Sequence, residues 1–472
     1  MNWDEILRII GRNKIKDSEN MDPVVRCAKK FHRHARIEMP EIDGDAVVET
    51  GHQPNFLPHP GTFKKAFLAS FLESVGGVIS LFGIYDYNPA TAKLLYQNRV
   101  PDISKNGFRK IGFKLSKKDT LKRFDQLEKP PKEEWRREIA KIEEIYDNVD
   151  WIAGEMEKSY RLGKNFADVN AILFARICHH LGFDNVLYFK YSDLQKNGVF
   201  LNEWLEISGD VSEYNQIYNA AVIKKRISDG KINDLTLAPF WYLCDCGGNA
   251  PVYHKTVFTA KCPVCKATHE FHSIEEVFAR LSPRAVFRNL LFAKGLGTSL
   301  FISGSGGSLR YGQISNEMYA KFGIDRPLVV YWKSKDYYLS PIRRKVITEI
   351  SKLYGNDFFE IDVMKKRLEW FHGLKSDRRF MGYYLYSHTL LQIAAKVFSL
   401  DYSMVDLLAS AGIDEIVRKW KESLENASIN LNEFCSVTSD VDFGCLSYHR
   451  RIMELVEESK VSDPANLLGD GR

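Results

Sequence analysis

Apolar and polar residues fall into blocks that predict two strand–helix–strand units. The run at 46–50 is apolar and β-branched and stops at Gly51, which predicts a buried strand entering a loop. Thr62 then caps a stretch whose apolar residues recur at helical spacing, and 78–88 predicts the next strand. Because a helix between parallel strands forms a βαβ unit, we expect an α/β protein with a parallel sheet and helices on its faces.

The second unit lies far along the chain. Residues 298–302 predict a strand, 303–308 a glycine-rich turn, 309–324 a helix and 326–332 the closing strand. Residues 116–182 and most of 342–472 have helical spacing. The expected segments are an N-terminal helical segment (1–45), the first half of the core (46–115), a helical insertion (116–235), a cysteine-rich ribbon (236–273), the second half of the core (274–345) and a C-terminal helical region (346–472).

Composition narrows the class of protein. With 472 residues, 44% hydrophobic and 27% charged, the chain is neither disordered nor fibrous. Its net charge of +5 is too small to imply a polyanionic partner, so nucleic-acid binding would need a local patch. The most apolar stretch, 66–84, is interrupted by Glu73, Gly76 and Gly77, and the first ten residues do not resemble a signal peptide. We expect no membrane segment and a cytoplasmic location.

Four of the cysteines predict a metal site. Cys244 and Cys246 form one pair, and Cys262 and Cys265 form a second after fifteen intervening residues. Thiolates on two tight turns at this separation can close a tetrahedral Zn²⁺ site, and four protein ligands leave no position for a substrate, so we expect a structural zinc. The first pair is one residue tighter than usual, which leaves open that His254 or His269 replaces one thiolate.

The loop after the first strand carries candidate catalytic residues. Residues 57–65 resemble the histidine–glycine signature of class I aminoacyl-tRNA synthetases and related nucleotidyltransferases. A small residue such as Gly61 lets the backbone approach a nucleotide, while the imidazole of His59 and the helix amino terminus stabilise charge on phosphate. The alternative is a simple proline-rich turn.

The glycine-rich turn of the second unit is a candidate anion site. Its backbone N–H groups suit an anionic or carboxylate ligand, and Arg310 could add a bidentate contact. Lys333 and Lys335 follow the last strand, where they would neutralise a triphosphate or simply form a basic turn. Asp86 would hold a substrate amine or a ribose, or cap a turn.

Together these blocks resemble the bacillithiol-biosynthesis cysteine-adding enzymes, the BshC family. The blocks are VVETGHQPNFLPHPGTFKKAFL at 47–68 and the stretch from 281 to 330. The resemblance implies a Rossmann-like core related to class I synthetases and a ligase that joins cysteine to an amino-sugar malate. The family's long carboxyl-terminal coiled coil is not evident, its usual acidic residue is replaced around Gly307, and the cysteine ribbon is an addition. The positions that match are Thr50, Gly51, Gln53, Gly61, Lys64, Arg288, Gly304, Tyr311 and Gln313.

We therefore expect an ATP- and Mg²⁺-dependent ligase that joins cysteine or a similar amino compound to a small carboxylate. A non-catalytic module that binds nucleic acid or protein through the ribbon and the basic 105–129 stretch, a nucleotidyltransferase on the same core, and a homodimer stay open. The expected catalytic residues are His59, Lys64 and Gln53; the nucleotide-binding residues are Gly51, His52, Gly61, Thr62, Lys333 and Lys335; and the substrate-binding residues are Asp86, Arg288, Gly304, Ser305, Gly306, Gly307, Arg310, Tyr311 and Gln313.

Overall fold

The computed structural model describes residues 3–11, 19–103, 107–227, 230–304, 306–374, 376–399 and 403–461. The helices in these ranges are α1 (Trp3–Ile10), α2 (Met21–Ala35), α3 (Pro60–Gly76), α4 (Lys132–Ile145), α5 (Asp150–Leu162), α6 (Phe166–His180), α7 (Tyr191–Lys196), α8 (Leu201–Ser208), α9 (Val211–Lys224), α10 (Ala285–Leu296), α11 (Gly307–Met318), α12 (Pro341–Tyr354), α13 (Ile361–Leu374), α14 (Met381–Ser399), α15 (Met404–Ala411), α16 (Ile413–Glu425) and α17 (Leu446–Val461). The strands are β1 (Val47–His52), β2 (Ile79–Ile84), β3 (Gln97–Asp102), β4 (Gly107–Gly112), β5 (Leu187–Lys190), β6 (Leu237–Leu243), β7 (Asn249–His254), β8 (Phe258–Lys261), β9 (Thr268–Phe271), β10 (Leu281–Pro283), β11 (Thr298–Ser303), β12 (Leu328–Lys333), β13 (Asp336–Tyr337), β14 (Ser428–Asn430), β15 (Phe434–Thr438) and β16 (Val441–Asp442).

The central sheet has the strand order β14-β15-β12-β11-β1-β2-β5. Its neighbouring strands are parallel except at the edge, where β14 runs antiparallel to β15. The chain starts in the middle at β1, moves outward through β2 to β5, returns to β11 and moves outward again through β12 to β15. This confirms an α/β protein with a mostly parallel sheet, and the order is compatible with a Rossmann-like core. The point where it reverses, between β1 and β11, is where doubly wound sheets bind ligands.

Helices cover both faces of this sheet because its strands are apolar on both sides. Val48 and Phe82 join one buried core with α3, α6 and α16, whereas Val47 and Leu81 join a second with α8, α10 and α11. Such alternation is expected of a parallel strand buried between two helical layers. A third, smaller core joins α12, α14 and α17. Among the helices described, none has the length and apolar character needed to cross a bilayer.

The cysteine-rich segment forms a second, antiparallel sheet. Its strand order is β10-β6-β7-β8-β9, and its apolar face joins the same core as α8 and α10. The described ranges also contain two small two-stranded sheets, β3 with β4 and β13 with β16. The cysteine sheet is therefore packed into the body of the protein.

The two segments expected to be mainly helical also contribute strands to the central sheet. Strand β5 lies within 116–235, and β14 and β15 lie within 346–472. These strands span only three to five residues each, and a short apolar run cannot be assigned by periodicity alone. The partner of β5 is β2 and the parallel partner of β15 is β12, and both lie far away in the sequence.

Candidate functional site

A cleft of about 1190 Å³ opens at the carboxyl ends of β1 and β11, where the strand order reverses. The loops after β1, β11 and β12 form one side, and α10 and the cysteine sheet form the other. The structure brings together here most residues predicted from both sequence blocks: Gly51, His52, Gln53, His59, Gly61, Thr62, Lys64, Arg288, Gly304, Gly306, Tyr311 and Lys335.

Other predicted residues lie away from the lining of the cleft. Asp86 is buried, and its carboxylate accepts hydrogen bonds from the Ser192 amide at 3.1 Å and the Ser192 hydroxyl at 2.5 Å, which corresponds to the turn-capping alternative. Lys333 is exposed at the end of β12, with its ammonium 5.1 Å from the ring centre of Tyr331. Gly307 begins α11, Arg310 and Gln313 follow within that helix, and Ser305 lies outside the described residues.

His59, rather than the predicted Thr62, caps α3. Proline is favoured in the first helical turn, so the helix begins at Pro60, and the Nδ1 of His59 accepts a hydrogen bond from the Gly61 amide at 3.1 Å. A Cβ at Gly61 would lie 2.9 Å from the His59 ring, so only glycine lets the ring fold over the helix end. Since Nδ1 accepts, the neutral ring carries its proton on Nε2 and can donate from there.

His52 has the opposite tautomer. Its Nδ1 lies 2.9 Å from the Gln53 carbonyl oxygen, so Nδ1 donates and Nε2 keeps a lone pair. Burial, together with the positive charge of Lys65, lowers the pKa of His52 to about 3. The imidazole is therefore neutral at pH 7 and can only accept at Nε2. The cleft thus holds one imidazole donor and one imidazole acceptor.

Lys64 is held by an ion pair. Its Nζ lies 2.9 Å from Asp336 Oδ1, and both side chains are 6% exposed. The Lys64 ammonium also donates to the Ser334 hydroxyl and lies 5.1 Å from the ring centre of Trp332. These contacts tie α3 to the loop after β12, so Lys64 joins the two halves of the sheet at the cleft.

Arg284, Arg288 and Lys65 are among the further cations that line the cleft. Arg284 and Arg288 lie one turn apart at the start of α10, and Lys65 lies on α3. Within the described ranges, none of the three is ion-paired with a carboxylate. Burial, with the charge of Arg288, lowers the pKa of Lys65 to about 7, and burial raises the pKa of nearby Glu49 to about 8. Near neutral pH the cleft therefore carries a net positive charge.

Gly51 is required by packing as well as by the loop. A Cβ there would lie 2.4 Å from the Gly83 carbonyl oxygen and 2.6 Å from the Tyr85 hydroxyl. The Arg288 guanidinium in turn lies 3.7 Å from the Tyr85 ring centre and donates to the Tyr87 hydroxyl at 2.8 Å. The close approach at Gly51 thus sets the place of Tyr85, and through it that of Arg288.

The four cysteines converge on one point of the second sheet. Their Sγ atoms lie within 4.8 Å of one another, with Cys244 3.6 Å from Cys265 and Cys246 3.4 Å from Cys262. Such a cluster could hold a metal ion and is compatible with zinc. His269 Nε2 lies 3.3 Å from Cys244 Sγ, whereas the His254 ring stacks on Phe258 with 4.1 Å between ring centres.

Sequence reasoning missed Arg284, Lys65 and Trp241. The available signal was the i, i+4 spacing of Arg284 and Arg288 at the start of a mainly apolar helix, since two guanidinium groups on one face beside an apolar core need a reason. Nothing in the sequence indicates that Trp241, on the cysteine sheet, lines the cleft.

A scan against protein-family models finds no match to this sequence, and no curated protein matches it. The resemblance to the BshC family therefore stays a prediction.

Proposed function

We propose that this protein is an ATP-dependent ligase that joins the amine of cysteine, or of a similar amino compound, to a small carboxylate. The observation that carries the proposal is the cleft at the reversal of strand order, where Arg284, Arg288 and Lys65 face a cavity of about 1190 Å³ and form no ion pair with a carboxylate in the described ranges. The Glu49 carboxyl, whose charge acts on Arg288, has its pKa raised by burial to about 8 and is mostly neutral at pH 7. Half-buried cations that form no ion pair favour an anionic ligand. The other two substrates of such a ligation, ATP and the carboxylate, are both anions.

Gly304, Gly306 and Lys335 are the residues that would hold the nucleotide. Gly304 follows β11 and Gly306 is the N-cap of α11, whose first amides point out of the helix end and favour negative charge. When bound, Mg-ATP supplies the activation of the carboxylate. In both helices an early amide donates to the N-cap carbonyl, Thr62 to His59 at 3.0 Å and Leu309 to Gly306 at 3.1 Å, but at α3 the Gly61 amide is also used, because it donates to His59 Nδ1. The α11 end is thus the better phosphate site.

The two imidazoles suit the two needs of acyl transfer. The Nε2–H of His59 can donate to an oxygen on which negative charge develops, and the lone pair of His52 can accept a hydrogen bond from the attacking amine. Lys65, with a pKa of about 7, is the group of the two that can accept a proton at neutral pH, because the pKa of His52 is lowered to about 3. In this assignment Lys64 positions the loop after β12.

We further propose that the cysteine cluster holds zinc in a structural role. Four thiolates complete a tetrahedral shell and leave no open position for water or substrate.

The test is thermal melting of the full-length, zinc-loaded protein with Mg-ATP, ADP, L-cysteine and simple dicarboxylates. A ligand that binds only the folded state at 100 times its dissociation constant adds about 2.7 kcal/mol to the free energy of unfolding. Stabilisation by Mg-ATP that increases with cysteine and a carboxylate supports the ligase. Nucleotide binding with pyrophosphate release and no amide indicates a nucleotidyltransferase instead.

The binding-module alternative has less support. Arg109 pairs with Asp102 at 2.7 Å, Lys122 with Asp119 at 2.8 Å and Arg123 with Asp125 at 2.9 Å, so part of the basic 105–129 stretch is neutralised within the protein. Stabilisation by nucleic acid that decreases steeply with salt concentration, together with no stabilisation by Mg-ATP, would favour that module over the ligase.

A further inference from the structure

The cysteine sheet supplies part of the cleft wall. The Cys244–Cys246 turn joins β6 to β7, and Trp241 on β6 and Asn249 on β7 both line the cleft. Leu243 is paired with Asn249 across this hairpin, directly beside the turn. A metal held by the four thiolates would therefore hold in place the β6–β7 hairpin, from which Trp241 and Asn249 line the cleft.

Trp241 holds an arginine against this wall. The Arg284 guanidinium lies 4.0 Å from the Trp241 ring centre. A guanidinium stacked on an aromatic face keeps its in-plane N–H groups available for an anion. One turn further along α10, Arg288 lies on Tyr85 in the same way. The Nε atoms of both arginines are buried and have no hydrogen-bond partner in the ranges that the structure describes.

Asn249 adds an acceptor to the lining of the same cleft. Its Nδ2 donates to the Tyr87 carbonyl oxygen at 3.2 Å, while Arg288 donates to the Tyr87 hydroxyl at 2.8 Å, so Tyr87 is a shared neighbour. The Asn249 Oδ1 is buried and accepts no hydrogen bond from any described residue. Since a buried acceptor without a donor is costly, this oxygen favours a ligand that donates.

We propose that Arg284, Arg288, Trp241 and Asn249 form a subsite for a small carboxylate that also carries a hydroxyl or amine donor. The guanidinium groups bind the carboxylate, and the Asn249 oxygen accepts from the donor. An oxyanion with acceptors only would place an oxygen against Asn249 Oδ1, so the subsite disfavours it. That the carboxylate is a substrate rests on the proposed function; the binding itself does not need nucleotide.

Isothermal titration of the full-length, metal-loaded protein with three probes tests this subsite. Tartrate has two carboxylates and hydroxyl donors, succinate has the carboxylates alone, and sulfate is an oxyanion without a donor. We expect tartrate to bind at least about tenfold more tightly than either of the others, a difference of about 1.4 kcal/mol. Equal affinities, or no tartrate binding, would overturn the assignment.

Variants locate the binding. Arg284→Gln should weaken tartrate by about tenfold or more, because a charged hydrogen bond is lost. Arg136→Gln is the matched control, since Arg136 is exposed on α4 and pairs with Glu157 at 3.4 Å. In Asn249→Leu, tartrate and succinate should bind equally, a ratio that a general loss of folding would not produce. Unchanged tartrate affinity in Arg284→Gln, or an unchanged ratio in Asn249→Leu, would contradict the subsite.

Metal removal tests the part played by the cysteine sheet. Protein stripped with a chelator should bind tartrate about tenfold more weakly while its circular dichroism keeps the signal of the main helices. Equal tartrate affinity with and without metal would show that the metal is not needed to hold the cysteine sheet in its place in the subsite. If Mg-ATP fails to bind and the Arg284-dependent binding of tartrate persists, the proposed ligase is wrong and the subsite stands. If Mg-ATP binds and tartrate shows no Arg284-dependent binding, only the subsite is wrong.

Discussion

The Nζ of Lys64 lies 2.9 Å from Asp336 Oδ1, and this ion pair links the first βαβ unit to the second beside the cleft. Trp420 Nε1 also donates to Asp336 Oδ1 at 3.2 Å. Removing one member of a buried pair leaves the other charge buried without compensation. We therefore expect the ion pair to stabilise the contact between the two units. The sequence predicts a catalytic role for Lys64.

Lys64→Gln should lower the free energy of unfolding by about 3 kcal/mol, because it leaves the Asp336 carboxylate unpaired. Urea unfolding measures this value. The control is Lys335→Gln, an exposed lysine of the same loop, which should change stability by less than about 0.5 kcal/mol. The double variant Lys64→Gln, Asp336→Asn should recover part of the loss. If Lys64→Gln is as stable as the parent, the ion pair does not stabilise the contact between the two units.

His59→Ala should reduce turnover by about 10² to 10³, because it removes a donor aimed at developing charge. It should also lower the free energy of unfolding by about 1 kcal/mol, since the cap of α3 is lost. His59→Asn keeps a capping side chain and lacks the imidazole. We expect its stability to match that of the parent and its turnover to match that of His59→Ala. Full turnover in either variant would exclude His59 from the reaction.

Metal analysis of the purified protein should find about one equivalent of zinc, the content of a single four-thiolate site. Cys262→Ser should lose the metal, whereas Cys27→Ser, which changes a buried cysteine outside the cluster, should keep it. His269→Ala should also keep it, since the four thiolates suffice. Metal loss in His269→Ala with retention in a cysteine variant would make the histidine a ligand.

Anion binding should weaken as the pH rises. Burial lowers the pKa of Lys65 to about 7 and raises the pKa of Glu49 to about 8. At about pH 6 Lys65 is charged and Glu49 is neutral, and at about pH 9 both have lost a proton, so the cleft becomes more negative by two charges. The affinity for Mg-ATP or tartrate should fall by about tenfold or more over this interval.

Titration of affinity against pH, repeated in Lys65→Met, checks the origin of this effect. The variant should lose the part of the decline centred near the pKa of Lys65 and keep the part centred near that of Glu49. A pH profile that is flat in the parent would mean that neither group acts on the ligand.

The βαβ units are predictable from sequence because each depends on local pattern. Strands β1 and β11 lie within a residue or two of the predicted runs, since each is a short apolar segment ended by glycine or serine. The two glycine loops meet because parallel strands end at the same edge of a sheet. Periodicity and turn chemistry therefore suffice for most of one side of the site.

The other side of the site depends on packing that no local pattern encodes. Arg284 and Trp241 meet because β10 pairs with β6, which brings the start of α10 against the cysteine sheet. The start of α3 was predicted at Thr62, and the cap by His59 depends on a glycine that leaves room for the ring. The ion pair of Lys64 joins residues distant in sequence, and so does the pairing of β15 with β12.

The adjacency of β1 and β11 also affects how the protein is made. The Thr50 hydroxyl donates to the Ile302 carbonyl oxygen at 2.9 Å, across a sequence separation of 252 residues. At about 5–20 residues per second, a ribosome needs roughly 13–50 s to synthesise that interval. During that time β1 has one unpaired edge, and an unpaired edge invites pairing with another chain. The nascent protein therefore passes through an aggregation-prone stage, which ends only when its second half emerges.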